Sequence, residues 1–561
     1  MGVPSPVVTM FFYPVSRRPD PDHDRVHEGV AVVDPNPEGQ SMTMWRLAAA
    51  LALALISPVA AVARTVDIDT GRIEGVQAGT VLVYNGVPYA AAPTGALRWR
   101  EPQPVQPWKA VRRADSFAPA CMQTGVSMPG ETPPRISEDC LYLNIWAPTK
   151  AAGKPLAVLV WFHGGGFSNG SASMPLYWGD RLAAKGVIVV TVAYRLGPFG
   201  FLAHPELTLE SPDRTSGNYG LMDQIAALKW VKRNIGAFGG DPDQVTIAGQ
   251  SAGAMSVSLL MASPLAKGLF QRAIGQSGGV FEPFQLAPGW LLANAEKEGL
   301  AYAASLGARS LAELRALPAA TLLTGKAAMI THPVMEPHLL PAAPYDVFAA
   351  GRQNDVPVLI GSNEEEARSL ADLAPVTAAS FRSELEKHWG SLPAPIVAAY
   401  PYSTDDQARK ARVDLERDLR FGWDMWAWAR LQSGVGKSPV YAYHFTQNPP
   451  FPARSVRAGW GASHYAELWY MFDHLGQEPW AWTASDHALA GAMSGYWVNF
   501  VKSGNPNGPG LPPWPAYTSA GEETLYLGSP IEVGPTANLR TLRVFDAVYA
   551  RVRGTPGDRA N

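Results

Sequence analysis

Short, uninterrupted apolar runs constrain this chain more than any other feature. Residues 156–162 read LAVLVWF and residues 187–192 read VIVVTV, with no polar residue interleaved except one threonine. A strand with one wet face alternates apolar and polar side chains, so an unbroken run belongs to a strand covered on both faces, the habit of parallel sheets. Residues 245–248 (VTIA) form a third such run, and 272–275, 356–360 and 439–445 are further strand candidates. Residues 221–235 carry a helical period. This alternation predicts an α/β fold: a central, mostly parallel sheet with helices on both faces. Residues 281–354 and 367–436 turn helical and rich in Trp and Leu, and read as insertions over the carboxyl edge of the sheet, where α/β folds bind ligands. No internal repeat or charged linker divides the chain. The economical reading of residues 64–561 is therefore one catalytic domain, although 561 residues would suffice for several.

Residues 1–63 read as something other than fold. Met44-Trp45-Arg46 is followed by an apolar run over 47–56, then Ser57-Pro58 and a small-residue stretch ending Ala61-Val62-Ala63. A basic start, a short apolar segment and an A-x-A ending make 44–63 a secretory signal peptide, and the apolar segment is too short to span a bilayer stably. Residues 1–43, Pro- and Asp-rich at Pro19-Asp20-Pro21-Asp22, read as a leader or an over-extended start, with Met42 or Met44 the expected first residue. Export decides how the two cysteines are read. In an oxidising compartment Cys121 and Cys140 are most simply one disulfide, worth ~3 kcal/mol on the chain-entropy model. No Cys/His cluster has metal-ligand spacing, so neither a metal nor another cofactor is expected. Charge narrows the partners further: Lys+Arg 46 against Asp+Glu 49 gives −3, which offers no electrostatic grip on nucleic acid or anionic lipid.

The chemistry begins at Gly249-Gln250-Ser251-Ala252-Gly253. G-x-S-x-G forms a sharp strand-to-helix turn that exposes the serine hydroxyl, and the flanking glycines let the turn pack tightly. A second match, Gly275-Gln276-Ser277-Gly278-Gly279, also follows a strand. Context separates them. Ser251 opens a helical run (Ala254 onward), whereas Gly279-Val280-Phe281-Glu282-Pro283 cannot continue as helix, so Ser251 is the candidate nucleophile. Upstream, His163-Gly164-Gly165-Gly166-Phe167 ends the LAVLVWF run. Its bare backbone N–H groups, with that of Ala252, suit an oxyanion hole.

The chain here resembles the type-B carboxylesterases, which include the cholinesterases, on the α/β-hydrolase fold. The likeness runs through Gly86-Val87-Pro88-Tyr89-Ala90, Leu97-Arg98-Trp99, Ser137-Glu138-Asp139-Cys140-Leu141-Tyr142-Leu143-Asn144 and HGGGF. It continues through Tyr194-Arg195-Leu196-Gly197-Pro198-Phe199-Gly200-Phe201, Gly217-Asn218-Tyr219-Gly220-Leu221-Met222-Asp223-Gln224 and Phe238-Gly239-Gly240-Asp241-Pro242 to GQSAG. Eleven histidines are present and spacing alone does not choose a base. His23 and His27 fall in the leader, His163 precedes the glycines as a wall residue, and His388 lies in a polar helical stretch. The resemblance selects His464, in Gly461-Ala462-Ser463-His464-Tyr465-Ala466-Glu467, which matches the family's Gly-Ala-x-His-x-x-Glu. It likewise selects Glu366 as the acid, from Gly361-Ser362-Asn363-Glu364-Glu365-Glu366, although Ala367 stands where the family usually has Gly; Glu364 and Glu365 are the alternatives.

The resemblance implies an exported serine esterase with Ser251, His464 and Glu366 as its triad and Gly165, Gly166 and Ala252 as oxyanion donors. Ser277 and Gln250 take supporting places near the triad. Glu467, three residues after His464, would share a helical face with it and brace that segment. Arg98 with Glu138, and Arg195 with Asp223, match two buried ion pairs of the family. The partner is a small-molecule ester; no nucleic acid or membrane span is implied, and oligomeric state is open. Cholinesterases hold a quaternary ammonium on a tryptophan ten residues before the second cysteine of this loop, where Gly130 stands here, and have an acidic residue where Gln250 stands. Uncharged esters are therefore expected rather than choline esters. The family's Pro-x-x-Asp-Gly reads Pro333-Val334-Met335-Glu336-Pro337 here, so a differently shaped loop is expected at the gorge wall. Trp423-Asp424-Met425-Trp426-Ala427-Trp428 lines an apolar pocket or forms an aromatic core. Two rival readings remain: hydrolysis of amide or lactam bonds by the same machinery, and a non-catalytic adhesion role, against which the intact serine, acid and histidine argue. N-terminal sequencing of the exported protein is expected to begin near Arg64; recovery of residues 1–41 would overturn the leader reading.

Overall fold

The computed structural model describes residues 64–149, 153–327 and 330–554. The leader and signal segment fall outside them. Thirteen strands form the main sheet of the described residues. In chain order they are β1 (Arg64–Ile68), β2 (Gly71–Ala78), β3 (Val81–Pro88), β4 (Arg112–Arg113), β5 (Tyr142–Pro148), β6 (Leu156–Phe162) and β7 (Ile188–Val192). There follow β8 (Gly240–Gln250), β9 (Arg272–Gln276), β10 (Val358–Asn363), β11 (Val440–Phe445), β12 (Glu523–Leu527) and β13 (Glu532–Pro535). Their spatial order is β1-β2-β3-β5-β7-β6-β8-β9-β10-β11-β12-β13, with β4 beside β2. From β7 to β12 every neighbouring pair is parallel; the flanks are antiparallel, except that the short β4 runs parallel to β2.

Side-chain alternation along the buried strands feeds two separate cores. Val158, Val160 and Phe162 of β6 and Ile188, Val190 and Val192 of β7 enter one apolar cluster. Leu159 and Trp161, with Val189, enter the other. Helices α1 (Tyr219–Asn234), α2 (Ala252–Ala262), α3 (Asp405–Arg417), α4 (Trp423–Val435) and α6 (Leu539–Arg553) pack on the first face, and α5 (Ala484–Ser503) on the second. All of α2 is buried, since its Ala, Gly and Ser residues let it lie close to the sheet.

The expected parallel strands are present, with longer ends. β8 begins at Gly240 rather than 245, across a register shift between Gly240 and Val245, and β10 continues to Asn363 in register with Phe445. The antiparallel flank (β1, β2, β3, β5) and the far edge (β12, β13) were not among the expected strands. β1 and β2 are part-exposed and mix charged with apolar residues. β5 carries the buried Asn144, whose Oδ1 accepts the Gly86 N–H at 3.0 Å and whose Nδ2 donates to Thr191 Oγ1 at 3.0 Å, so its run is interrupted in sequence but satisfied in the sheet. The two insertions are helical, the first with Leu292–Ser305 and Pro344–Ala349, the second with Phe381–Trp389, α3 and α4. The tryptophans of α4 are core: Trp423 and Trp428 are fully buried, and Trp428 packs 5.8 Å from the Phe281 ring and against Gly275.

Both expected ion pairs form. Arg98 grips Glu138 with two bonds of 2.6 Å and donates to the carbonyls of Arg315 and Leu317. Arg195 is bidentate on Asp223 at 2.8 Å. Losing one partner of such a buried pair costs ~3–5 kcal/mol, because the other charge is stranded. The Cys121–Cys140 disulfide is present, with its Cα atoms 5.0 Å apart, and a short parallel ribbon, Ala120–Cys121 with Ile136–Ser137, closes the same loop. Replacing both cysteines by serine should lower unfolding free energy by ~3 kcal/mol in denaturant titration. An unchanged midpoint would mean that the ribbon alone holds the loop.

Candidate active site

Ser251 sits between the end of β8 and the start of α2 with φ 57° and ψ −127°. A non-glycine residue held there stores ~1–3 kcal/mol, which neighbours must offset. They do so by hydrogen bonds and by close backbone approach. Ser251 N–H donates to Gln276 O at 2.9 Å, and its carbonyl accepts the Met255 N–H at 2.9 Å. A β-carbon at Gly253 would strike the Phe162 carbonyl, one at Gly249 would strike Gly253, and one at Gly278 would strike the Ser251 carbonyl. The ends of β6, β8 and β9 thus clamp one turn.

Opposite that turn lies the glycine loop after β6. Gly164 packs on Ser251, so that a β-carbon there would sit 3.0 Å from the serine's own. Gly165 and Gly166 have φ +109° and +59°, and Gly165 O accepts from Ser168 N and Asn169 N at 3.1 and 3.0 Å. Ala252 is the first residue of α2, so its N–H is free of an intrahelical acceptor. His163 is a wall: it stacks on Tyr194 at 4.5 Å, and burial pushes it down to about 4, leaving it neutral.

His464 and Glu366 meet directly. Imidazole Nδ1 lies 2.6 Å from Glu366 Oε2, both side chains are buried, and Glu366 Oε1 accepts the Asn363 N–H at 2.7 Å. The neighbouring glutamates turn elsewhere, Glu364 to His444 at 2.6 Å and Glu365 to Arg368 at 2.6 Å. Only Glu366 of the three reaches His464. Phe421 stacks on the other side of the imidazole, with centroids 4.5 Å apart and planes 12° off parallel, from a π-helical turn (Asp418–Gly422) between α3 and α4. A π-turn inside a helix often marks a functional position, and nothing in the sequence pattern announced this one.

Residues 62–543 match the model of the carboxylesterase family. The chain is a carboxylesterase. It is 37% identical over 473 residues to fumonisin B1 esterase of Sphingopyxis macrogoltabida, covering 81% of this chain and 84% of that protein. It is 37% identical over 493 residues to para-nitrobenzyl esterase of Bacillus subtilis (strain 168), covering 83% and 95%. A solved thermophilic PNB esterase superposes with TM-score 0.75 at 33% identity, covering 86% of this chain and 99% of that one. The carboxylesterase therefore has the α/β-hydrolase fold and is a carboxylic ester hydrolase.

Around the triad candidates this carboxylesterase places the other expected residues as follows. Gln250 Nε2 lies 3.1 Å from His464 Nε2 and 3.3 Å from Nδ1, so the amide lies against the imidazole. Ser277 (φ 51°) donates its N–H to Gly361 O at 2.8 Å, at the base of the segment carrying Glu366. Residues 464–467 form a turn, with the helix starting only at Leu468, so Glu467 does not share a helical face with His464. It folds back beneath the acid, where Oε2 accepts Asn363 Nδ2 at 2.6 Å and Oε1 accepts Gln276 Nε2 at 3.2 Å. The 333–337 stretch is held by Asn218, which bonds Val334 N, Val334 O and Glu336 Oε1. Among the described residues no group of three or more His, Cys, Asp or Glu gathers to hold a metal ion, and no helix is long and apolar enough to cross a membrane.

A cavity of about 460 Å³ lies beside the glycine loop, lined by Ser127, Gly130, Glu131, Ser171, Arg457 and Trp469 among others. Ser127 reaches within 3.2 Å of where a Gly165 β-carbon would be. Sequence patterns did not single out Glu131 or Arg457, since each sits alone in a loop and only the fold brings them together.

Burial, then the nearby Glu366 charge, raises Glu467 to about 8. The folded protein thus prefers Glu467 protonated, and the cost of ionising it grows as pH rises from the ordinary carboxylate range and is complete above about 8. Glu467→Gln should keep activity within ~10-fold at neutral pH, lose an alkaline fall in rate near pH 8 and gain stability relative to the parent at high pH. An alkaline limb unchanged in this variant would assign it to another group.

Proposed function

We propose that this carboxylesterase is an exported serine hydrolase of uncharged carboxylic esters, with residues 64–561 as a single catalytic domain. Two observations carry this reading, a strained, clamped Ser251 turn and a buried Glu366–His464 hydrogen bond. Glu366 accepts the Nδ1 proton, which leaves the Nε2 lone pair for the proton of Ser251. Ser251 Oγ attacks the ester carbonyl, and the N–H groups of Gly165, Gly166 and Ala252 receive the oxyanion. His464 returns the proton to the leaving oxygen as the acyl–oxygen bond breaks. Water then repeats the sequence on the acyl-enzyme and releases the acid.

Preference for uncharged esters draws on Gly130 and Gln250. The Arg457 guanidinium lies 3.4 Å from where a Gly130 β-carbon would project, so a cation stands where a quaternary ammonium would need its aromatic cradle. Export draws on the disulfide, which persists in oxidising compartments. Amide hydrolysis is the alternative, because the same donors serve both carbonyls.

Ser251→Ala should abolish turnover of a short aryl ester, by roughly 10⁴-fold or more, and abolish labelling by a fluorophosphonate. Retained turnover would refute the assignment. A panel of esters of varied chain length, run beside matched amides, separates the two substrate classes; equal kcat/KM on both would favour the amide reading.

A further inference from the structure

Arg457 and Glu131 reach the cavity of about 460 Å³ from different parts of the chain, and each brings a polar atom that the protein leaves unanswered. Arg457 Nε and Glu131 Oε1 are buried and meet no hydrogen-bond partner among the described residues. Native interiors leave few such atoms, so two of them on residues lining one cavity point to a ligand. Both side chains are held in place. The guanidinium lies 5.6 Å from the rings of Trp469 and Trp480, with Nη1 4.0 Å from Glu478 and Nη2 3.4 Å from where a Gly130 β-carbon would project. Glu131 Oε2 accepts from Ser127 Oγ at 3.1 Å and from the Met128 N–H at 3.2 Å, inside the disulfide loop. The cavity also lies on a defined side of the candidate triad. One wall adjoins the glycine loop: Ser127 comes within 3.2 Å of where a Gly165 β-carbon would be, and one at Gly170 would strike the Gly164 carbonyl. Another wall, Arg457 and Trp469, belongs to the segment that carries His464, where Tyr465 (φ +73°) sets its ring edge-on to the imidazole at 4.7 Å. A leaving alcohol takes its proton from the catalytic histidine, so it departs toward that segment.

We propose that this cavity receives the leaving alcohol and that Arg457 and Glu131 select esters of uncharged, hydroxylated alcohols, diols and polyols, by hydrogen-bonding their hydroxyl groups. This rests on the Ser251–His464 reading above. The chemistry of the wall excludes the other occupants. An ammonium would meet the guanidinium. A carboxylate would meet Glu131 and Glu478, and Glu478 already faces the Arg457 charge. A plain alkyl chain would leave the Arg457 donor and the Glu131 oxygen unpaired and dry. A hydroxyl group carries a donor and an acceptor together and adds no charge, so it answers both atoms. Burial raises Glu131 to about 7, so near neutral pH its carboxyl stands in both forms; a hydroxyl suits either, accepting from the acid and donating to the carboxylate. Trp469 offers the carbon skeleton an apolar surface in the same cavity.

The test uses three butanoate esters, propyl, 2,3-dihydroxypropyl and 2-carboxyethyl, with each kcat/KM divided by that ester's rate of alkaline hydrolysis to remove its own reactivity. On the parent the dihydroxypropyl ester should exceed both others by roughly 10- to 100-fold. In Arg457→Met and in Glu131→Leu the ratio of dihydroxypropyl to propyl ester should fall below about threefold. A parent ratio already below threefold, a ratio unchanged in either variant, or a parent that favours the carboxyethyl ester overturns the proposal. Should the variants not fold, the parent ratios alone still decide. Failure of the underlying reading is separate, since it would appear as turnover in Ser251→Ala.

Discussion

The structure depends on one crowded point, where three strand ends and a helix start share the space around Ser251. Phe162 at the end of β6, Gly249 and Gln250 at the end of β8, and Gln276 to Gly278 after β9 all approach within contact of the serine turn. Three of those contacts leave no room for a β-carbon, so the G-x-S-x-G pattern is first a packing requirement and only then a catalytic one. Strain at φ 57° persists because a fully buried helix and two parallel strands over-determine it. The positive φ values of Gly165, Gly166, Ser277 and Tyr465 gather around the same point.

The acid side obeys a different constraint, the cost of negative charge in a dry interior. Glu366 and Glu467 are both fully buried and both reach Asn363, Glu366 through its N–H and Glu467 through its side-chain amide. Two carboxylates in such a space repel, and the pair resolves this by keeping one of them, Glu467, protonated at neutral pH. Gln276 links that arrangement to the opposite core, donating to Glu467 and accepting Trp497 Nε1–H at 3.0 Å. Glu366 is thereby left as the carboxyl that faces His464.

What could be read from the sequence divides along physical lines. Strands buried on both faces wrote themselves as apolar runs, so β6, β7 and the centre of β8 were legible; edge strands such as β1 and β2, part wet and mixed in composition, were not. Ser251 was legible because its turn demands glycines at fixed places. Choosing His464 among eleven histidines and Glu366 among three adjacent glutamates needed family resemblance, since the candidate base and acid are joined by the fold across ninety-eight positions. Phe421, Glu131, Arg457 and Tyr465 carry no local pattern at all. Their meaning is positional, and a helical face expected for Glu467 gave way to a turn because the backbone at Tyr465 leaves helical space.

The disulfide loop shapes the wall beside this site. Cys121 and Cys140 close a loop that brings Ser127 under the glycine loop and Gly130 and Glu131 into the cavity wall. Glu131 is buried enough to be raised to about 7, and its carboxyl is held by Ser127 Oγ at 3.1 Å and Met128 N–H at 3.2 Å, all within the loop. Arg457 approaches from another segment, its guanidinium 5.6 Å from the rings of Trp469 and Trp480. A loop free to wander would spread these polar groups over many positions, and complementarity to a substrate would be lost to that freedom before any catalytic atom moved. The cross-link therefore acts on shape as well as on stability: it fixes the loop that supplies part of the wall of the cavity beside the glycine loop.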